Sequence, residues 1–485
     1  MSRGSRAALI LAAVCVACGG DTTVVRPSNS AEDAGSGSVV PQAGAGGGSY
    51  GLAGQGGAHR GGGAAGDFAG AAGLAVEAPG SCWAHIYSTG AFFEHGSALI
   101  AAPDGGIWVS GTRYQVENDP WRAMVLHTDQ AGDPSWGYEY GVESVWIGAE
   151  MPLALGDGGL LLAGGRTDAL GLLADPWLLR LNSNGSPVWV AYFDVQPSWG
   201  VARCVRDALD GGFVVAGDAA GHAWLAKLSA DGQVEWQTTY AAAEHDHFVD
   251  VQRLEDGYLL TGAIGGPALT QSTSAWIARI AADGALLWSN QIDVGRGWLQ
   301  QAHRLDGGNI LAVGNVFLAD GAESQDGWLL EFDAAGRIVS SRSYGTDVWD
   351  RIRNTDLDAE GGLLVGGQTD WAGDAMRSFN ARIAPSGEVE WARRYGDGMR
   401  LWTAGPARAF GGSVWDDQSG SDVLVARLGT DGTCDALPAE DIPLTGSSFP
   451  VEAVDVDVTA EEASFPVLSE SIEVTELSVD VTPFR

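Results

Sequence analysis

The stretch 210–240 recurs in variant form along most of the chain, and this repetition constrains the fold more than any other feature. Aromatic and β-branched residues at 213–215 suit a half-buried, pleated strand. The short loop 229–232 can form a hairpin because Gly232 is free to adopt positive φ. Val234, Trp236 and Thr238 then share one face of a last strand, since side chains alternate with a period of two. Each copy is therefore predicted to hold a turn and three strands.

Two landmarks align the copies. The first is a hairpin glycine preceded by a large apolar residue at the eighth position before it. The glycines are Gly132, Gly185, Gly232, Gly284, Gly336, Gly387 and Gly432. The second is the residue four positions after that glycine, usually tryptophan: Trp136, Trp189, Trp236, Trp288, Ser340, Trp391 and Ala436. The period is about 50 residues, which is typical of propeller blades or other repeat arrays.

One further β segment precedes each copy and completes four strands. An aromatic residue opens most of these segments: Phe93, Trp146, Trp199, Phe248, Trp298, Trp349 and Trp402. We therefore expect an all-β fold, a seven-bladed β-propeller with four-stranded blades, spanning 81–436.

The two ends of the array complement each other. The seventh copy stops after Cys434 and Asp435 without a tryptophan strand, whereas 82–87 reads as a tryptophan strand without a copy. We expect 82–87 to be the outer strand of the last blade and so to close the ring. The alternative is an open array of seven units, but no capping ends of the kind that such arrays need are recognisable.

The first 17 residues read as an export signal. Arg3 and Arg6 give it a charged start, and its apolar run, 7–17, is shorter than the roughly 20 residues that span a bilayer. The segment 15–18 resembles a bacterial lipobox, in which the last cysteine, Cys18, receives diacylglycerol before cleavage. Cys15 departs from the usual leucine, and the alternative is an ordinary secretory signal.

Gly19, rather than aspartate, follows the lipidation cysteine, and in enteric-type sorting this resemblance implies the outer membrane. The Gly/Ala-rich segment 18–80 cannot bury enough apolar surface to offset the entropy of ordering. It is predicted to be a flexible tether. The chain carries a formal charge of −35, which argues against nucleic acid as a partner because phosphate binding needs a basic face.

Three cysteines remain outside the signal and the lipidation site. Cys82 and Cys434 fall on the same strand of the same predicted blade, so a disulfide between them would seal the ring in an oxidising compartment. Cys204 is predicted to be a buried apolar thiol in the first strand of blade three.

The segments 227–236 and 280–288, which read KLSADGQVEW and IAADGALLW, resemble the tryptophan-docking motif of quinoprotein-type β-propellers. They are also similar to the repeats of many secreted bacterial propeller proteins. The resemblance covers 82–436 and implies that the tryptophans pack between blades. It does not extend to quinone chemistry, because the adjacent cysteines of those enzymes have no counterpart here. No cofactor is expected, and calcium is left open without assigned ligands.

Propeller ligands usually bind at the axis, on the face made by the loops that enter strand one and join strands two and three. The predicted ligand-binding residues lie in the first set of loops: Trp146, Trp199, Trp298, Trp349 and Trp402. Acids such as Asp175, Asp218 and Asp326 occupy the second set. Aromatic rings beside acids can bind sugars or cations. The alternative is that the rings dock blades and the acids are solvated.

The segment 245–247, His-Asp-His, could contribute to a metal site, but a solvated loop is the favoured interpretation because no cysteine or third histidine is adjacent. No catalytic motif occurs, so no catalytic residue or metal ligand is assigned. The tail 437–485 alternates apolar and acidic residues, which argues for strand. Two roles stay open for it, an added edge on the propeller rim or a partner-binding strand.

The predicted function is a binding or scaffold module that takes a protein or carbohydrate ligand on the propeller face. It would be lipid-anchored to the outer membrane, on the periplasmic or cell-surface side, and would touch the membrane only through the lipid. The alternative is an enzyme, a glycan lyase or hydrolase, with an axial active site.

Overall fold

A computed structural model describes residues 82–483 apart from 92, 103, 115–119, 143–145, 168–173, 266–273, 306, 318–324, 334, 347, 370–376, 396–398, 405–407, 417–419, 436, 438, 449–450, 457, 464, 469–471 and 478. The predicted signal, the lipidation site Cys18 and the tether lie outside the described residues. Within those described, no helix has the length and apolar character needed to cross a membrane.

Strands follow one another in antiparallel groups of four, and we call each group a unit. The units are unit 1, β2 (Phe93–Ala101), β3 (Ile107–Tyr114), β4 (Arg122–Thr128) and β5 (Pro134–Gly141); unit 2, β6 (Trp146–Ala154), β7 (Leu160–Thr167), β8 (Ala174–Leu181) and β9 (Pro187–Phe193); unit 3, β10 (Val201–Asp207), β11 (Phe213–Ala219), β12 (His222–Leu228) and β13 (Val234–Ala241); unit 4, β14 (His247–Leu254), β15 (Gly257–Ile264), β16 (Ser274–Ala281) and β17 (Leu286–Asp293); unit 5, β18 (Gly297–Arg304), β19 (Ile310–Phe317), β20 (Gln325–Phe332) and β21 (Ile338–Gly345); unit 6, β22 (Asp350–Leu357), β23 (Leu363–Thr369), β24 (Arg377–Ile383) and β25 (Val389–Tyr395); and unit 7, β26 (Met399–Ala404), β27 (Ala409–Asp416), β28 (Gly420–Arg427) and β1 (Trp83–Ser88).

Units 2 to 6 belong to separate sheets, whereas units 7 and 1 share one sheet because Phe93 of β2 pairs with Ser421 of β28. Four-stranded antiparallel sheets that succeed one another along a chain are the blades of a β-propeller. The protein is therefore an all-β propeller.

The tight turn between the third and fourth strands shows why the sequence forms these hairpins. In unit 5, Gly336 has a φ of 79°, and its N–H donates to the carbonyl of Asp333 at 2.9 Å. The Asp333 carboxylate accepts from the N–H groups of Ala335 and Arg337, both at 2.9 Å. An aspartate that bonds to its own turn, followed by a glycine in the left-handed region, favours a short hairpin with a bulge.

The fourth strand of one unit docks on the hairpin glycine of the next. A Cβ on Gly232 would lie 2.8 Å from the ring of Trp189, and one on Gly432 would lie 2.5 Å from Trp391. A tyrosine four residues after the tryptophan position often reaches the same glycine: the Tyr240 hydroxyl donates to the carbonyl of Gly284 at 2.7 Å. In unit 5, where Ser340 replaces the tryptophan, the Arg342 side chain lies against Gly387 instead.

The strand β1 joins the two ends of the array. It pairs antiparallel with β28 along its length, and Cys82 forms the predicted disulfide with Cys434, with 5.4 Å between their Cα atoms. Trp83 and Tyr87 of β1 also contact unit 1: a Cβ on Gly132 would lie 2.9 Å from the Trp83 ring, and the Tyr87 hydroxyl donates to the Gly132 carbonyl at 2.6 Å.

The tail adds a fifth strand to every unit and visits the units in reverse order. Its strands and their partners are β29 (Ala439–Asp441) on β25, β30 (Thr445–Ser448) on β21, β31 (Glu452–Asp455) on β17, β32 (Thr459–Glu462) on β13, β33 (Val467–Leu468) on β9, β34 (Glu473–Glu476) on β5 and β35 (Asp480–Pro483) on β1. All seven pairings are antiparallel. Of the two roles left open by the sequence, the structure has the tail as an added edge.

Candidate ligand-binding site

The first strand of each unit carries a β-bulge at the same place. The unpaired residue in each case is Ser97, Glu150, Arg203, Val249, Gln300, Arg353 or Trp402. A glycine on the second strand lies opposite. In unit 3, a Cβ on Gly217 would overlap the carbonyl oxygen of Val201, and in unit 5 a Cβ on Gly314 would overlap that of Trp298. The bulge therefore requires glycine there, and it re-aims the side chains around it.

Because the bulge is common to all units, it aligns the start of their first strands. We define the leading position as the residue four before the bulged one. The leading residues are Phe93, Trp146, Trp199, His245, Arg296, Trp349 and Gly398. First strands that run in the same direction in each unit bring the described leading positions, those of units 1 to 6, to the same end of the propeller. Units 1 to 6 thus have an aromatic or cationic side chain there, whereas unit 7 has glycine.

The five predicted ligand-binding tryptophans occupy three different kinds of position in the first strands. Trp146, Trp199 and Trp349 occupy leading positions, and the side chains of Trp199 and Trp349 are half-buried. Trp298 follows its leading position by two residues and is fully buried, with its ring centroid 5.7 Å from the Arg351 guanidinium carbon. Trp402 is the bulged residue of unit 7. The site assigned to these residues stays a prediction, but they do not form one equivalent set.

The sequence pattern does not identify two of the leading residues, because it assigns an aromatic residue to the start of each segment and, in both units, that aromatic residue lies further along the chain. These leading residues are His245 of unit 4 and Arg296 of unit 5, where the pattern assigns Phe248 and Trp298. The leading residue of unit 7, Gly398, lies outside the described residues. The sequence carries a partial signal: the bulged residue lies 14 positions before the glycine opposite it in units 1, 2, 3, 5 and 6, but 13 positions before it in unit 4 and 10 in unit 7. Counting back from that glycine therefore locates Arg296 but not His245.

Aromatic rings and cationic groups occupy the leading positions. The half-buried ring of Phe93 stacks on Tyr114 at 5.0 Å and on Trp121 at 5.7 Å between centroids. The Arg296 guanidinium carbon lies 3.6 Å from the centroid of the Phe317 ring. His245 is exposed, with a φ of 64°. The stacked rings of unit 1 offer flat apolar faces, and the Arg296 guanidinium of unit 5 offers hydrogen-bond donors.

Buried carboxylates lie next to these positions. Asp218 accepts from the Arg203 Nε at 2.7 Å, and Asp175 accepts from the N–H of Val195 at 3.1 Å. Burial raises the pKa of both acids, although Arg203 opposes the shift at Asp218. The alternative that loop acids are solvated is therefore wrong for these two, because they lie within strands and their side chains are buried.

The segment 245–247 is only in part the solvated loop that its polarity indicated: His245 is exposed in a turn, whereas Asp246 and His247 are buried. Asp246 is buried and accepts from the N–H groups of Ala242 and Ala243, both at 2.7 Å, and of Gly265 at 2.9 Å. Burial and then the nearby Arg203 lower the pKa of His247 to about 3. These contacts make the aspartate a turn-forming group. No cluster of three or more potential metal ligands occurs among the described residues.

Further along the first strands, units 3 to 6 are joined by buried polar contacts. Asp250 accepts from the Cys204 Sγ at 3.0 Å, from Arg206 at 2.9 Å and from the N–H of Ala302 at 2.9 Å. Cys204 is buried in a hydrophobic cluster, as the sequence indicated, and its thiol also donates to Asp250. Burial raises its pKa, so the thiol stays protonated.

One acid in this region, Asp356, has a pKa close to neutral pH. Asp356 of β22 is buried, and its carboxylate accepts from the N–H of Leu357 at 3.0 Å. Burial is the largest cause that raises its pKa to about 7, and the nearby Asp358 adds to the shift.

Comparison with known proteins yields only distant structural likenesses. The sequence matches no protein-family model and no curated protein. Solved structures that resemble it include Drosophila Semaphorin 1a, extracellular domains 1-2, at 8% identity and a TM-score of 0.40, with 70% of this chain and 87% of that chain covered. A subtype N11 neuraminidase-like protein of a flat-faced bat influenza virus has 10% identity and a TM-score of 0.38, with coverages of 57% and 86%. An ulvan lyase, a polysaccharide lyase, has 10% identity and a TM-score of 0.32, with coverages of 73% and 87%.

Proposed function

We propose that the protein is a binding module whose leading positions take a protein or glycan ligand. The observation that carries this proposal is the recurrence of an aromatic or cationic residue at one equivalent position in units 1 to 6. Half-buried rings such as Trp199 and Trp349 have part of their surface already held by neighbours, so a ligand can stack on them at little entropic cost.

Binding is favoured over catalysis because the acids beside the leading positions are already engaged. Asp218 accepts from Arg203, and Asp175 accepts from the N–H of Val195, beyond the end of β9, and lies 3.5 Å from Arg166. A general acid or base must instead reach the proton that it transfers.

Arrays of glycans and peptides probed with the purified protein test the proposal. For any ligand found, Trp199→Ala and Trp349→Ala should each weaken binding about tenfold, the loss expected when one stacked ring is removed. Leu287→Ala, at an exposed residue of the outer strand β17, is the matched control and should leave affinity unchanged. No binding across both arrays, or equal effects of the three substitutions, would refute the leading positions as the site. Cleavage of a bound glycan would support the enzyme instead.

We further propose that the seven units are the blades of a closed ring. Support comes from β1, which pairs with unit 7 while its Trp83 and Tyr87 reach Gly132 of unit 1. A hydrophobic cluster that includes Leu99 and Val423 also combines units 1 and 7.

We propose that Cys18 anchors this propeller at the outer membrane and that 18–80 holds it away from the surface. The support is the lipobox-like segment and the composition of the tether. Cys18→Ser should release the protein from membranes in a fractionation experiment, whereas Cys15→Leu, which restores the usual lipobox residue, should not. Membrane retention of the Cys18→Ser variant would exclude the anchor.

A further inference from the structure

The tail has a seven-residue repeat in addition to its alternation of apolar and acidic residues. Every seventh residue is apolar: Leu437, Leu444, Val451, Val458, Phe465, Ile472 and Val479. We call these the anchor residues. Successive anchors are separated by one short strand and its connection, so the tail has one seven-residue step per unit.

Each anchor packs into a different hydrophobic cluster, and each cluster combines residues of neighbouring units, with that of Val458 also reaching Trp298 of unit 5. The assignments are Leu437 between units 6 and 7, Leu444 between 5 and 6, Val451 between 4 and 5, Val458 between 3 and 4, Phe465 between 2 and 3, Ile472 between 1 and 2, and Val479 between 7 and 1. The tail therefore contacts every junction of the array.

The backbone repeats the same step. The N–H of Val456 donates to the carbonyl of Ser289 at 3.1 Å, that of Ala463 to Gln237 at 2.9 Å, and that of Leu477 to Gly137 at 2.8 Å. Each acceptor directly follows a docking tryptophan of an outer strand. Donors spaced by sevens thus meet equivalent carbonyls in different units, because the units present their edges at a regular interval.

We propose that the outer edges of the seven units form a strand-addition surface that recognises an extended segment with an apolar residue at every seventh position, and that the tail is its occupant. Backbone pairing supplies affinity, and the clusters between units supply specificity. The last strand, β35, covers β1, the strand that joins the two ends of the array. The bound tail therefore holds that junction shut.

A full-length protein with a protease site inserted after Pro443, an exposed residue between β29 and β30, tests this proposal. After cleavage, the fragment 444–485 should co-elute with the propeller in gel filtration. A labelled synthetic peptide of 444–485, added in excess, should exchange into the cleaved protein. A fragment that separates at once under native conditions, or a labelled peptide that never enters, would overturn the proposal.

Two peptide variants test the seven-residue recognition. Phe465→Asp places a charge at an anchor and should weaken exchange about tenfold, because an apolar group can no longer be buried there. Leu468→Asp, at a residue of β33 that is 41% exposed, is the matched control and should exchange like the natural peptide. Equal behaviour of the two variants would overturn recognition by the anchors. Because both substitutions are in the peptide, neither affects folding of the propeller.

Discussion

Each hairpin glycine meets two separate demands, one from its backbone and one from its neighbour. Gly336 has a φ of 79°, which L-residues rarely adopt, and a Cβ there would lie 2.5 Å from the ring of Trp288. Gly308 has a φ of 87° as well, but nothing lies within 4 Å of its Cβ position. The two glycines therefore allow backbone strain and packing to be measured apart.

Gly336→Ala should destabilise the protein more than Gly308→Ala. Both substitutions add strain of about 1–2 kcal/mol from the left-handed backbone. Only Gly336→Ala also forces the Trp288 ring out of place, which adds about 1–3 kcal/mol. Urea denaturation of the two variants measures the difference. Equal urea midpoints would mean that the Trp288 ring moves aside without a measurable cost in free energy.

Asp356→Asn should stabilise the protein at pH 8 but not at pH 4. The folded pKa is about 7, above that of the unfolded chain, so the folded state holds a proton that the unfolded state releases between about pH 4 and pH 7. Stability from this group is present below that window and lost as pH rises through it. The asparagine side chain does not titrate, so the variant does not lose this stability as pH rises. We expect its free energy of unfolding at pH 8 to exceed that of the natural protein by about 1 kcal/mol or more.

Urea midpoints at both pH values test this prediction, with Asp231→Asn at an exposed hairpin residue as the control for net charge. A gain of equal size at pH 4 and pH 8 would exclude titration of Asp356 as the cause.

At the scale of the element, the short strand β1 contacts three parts of the fold. It pairs with β28 on one edge and β35 on the other, and it docks on unit 1 through Trp83. The disulfide Cys82–Cys434 holds it beside the end of the repeats across a sequence separation of 352 residues. Without that bond, nothing covalent would keep this strand from leaving the last unit.

Replacing both cysteines, Cys82→Ser with Cys434→Ser, should lower the free energy of unfolding by about 2–5 kcal/mol, the usual effect of losing a native disulfide. Thermal or urea unfolding with and without reductant measures it. Reductant should lower the midpoint of the natural protein and leave the double variant unchanged. An unaltered midpoint in the double variant would show that the strand pairings alone hold β1.

At the scale of the whole molecule, charge repulsion opposes compactness. The chain has 62 acidic and 27 basic residues. Exposed acids among the described residues include Glu440, Asp441 and Glu461 of the tail and Asp231 and Asp283 of the turns. Like charges that are forced together in the folded state destabilise it, and salt screens them with a Debye length of about 8 Å at physiological ionic strength.

Raising NaCl from about 10 to about 150 mM should therefore raise the thermal midpoint. CaCl₂ at matched ionic strength tests for specific cation binding: an additional rise would indicate a calcium site, and an equal rise would indicate screening alone. A midpoint that falls with salt would show that attractive ion pairs such as Arg382–Asp358, at 2.6 Å, dominate the balance.

The amino-acid sequence by itself determined the β-propeller type, the hairpins and the Cys82–Cys434 disulfide. Hairpins are local, so alternation, turn glycines and docking tryptophans recur visibly at fixed spacings. The strand at 82–87 could be recognised because it carries the same tryptophan and tyrosine as Trp236 and Tyr240.

Only the tertiary structure decided which residues line up at the leading positions, which acids are buried and what the tail pairs with. The bulge recurs in every first strand, but the aromatic residue that opens the segment lies at a varying distance before it, so Trp298 and Trp349 occupy different positions. Burial of Asp218 or Asp356 depends on packing between segments that lie far apart in sequence. The apolar residues at every seventh position of the tail are visible in the sequence, but they do not say which strands the tail meets, because its pairing uses backbone groups that are the same in every residue. The positions of the outer edges in space decide that pairing.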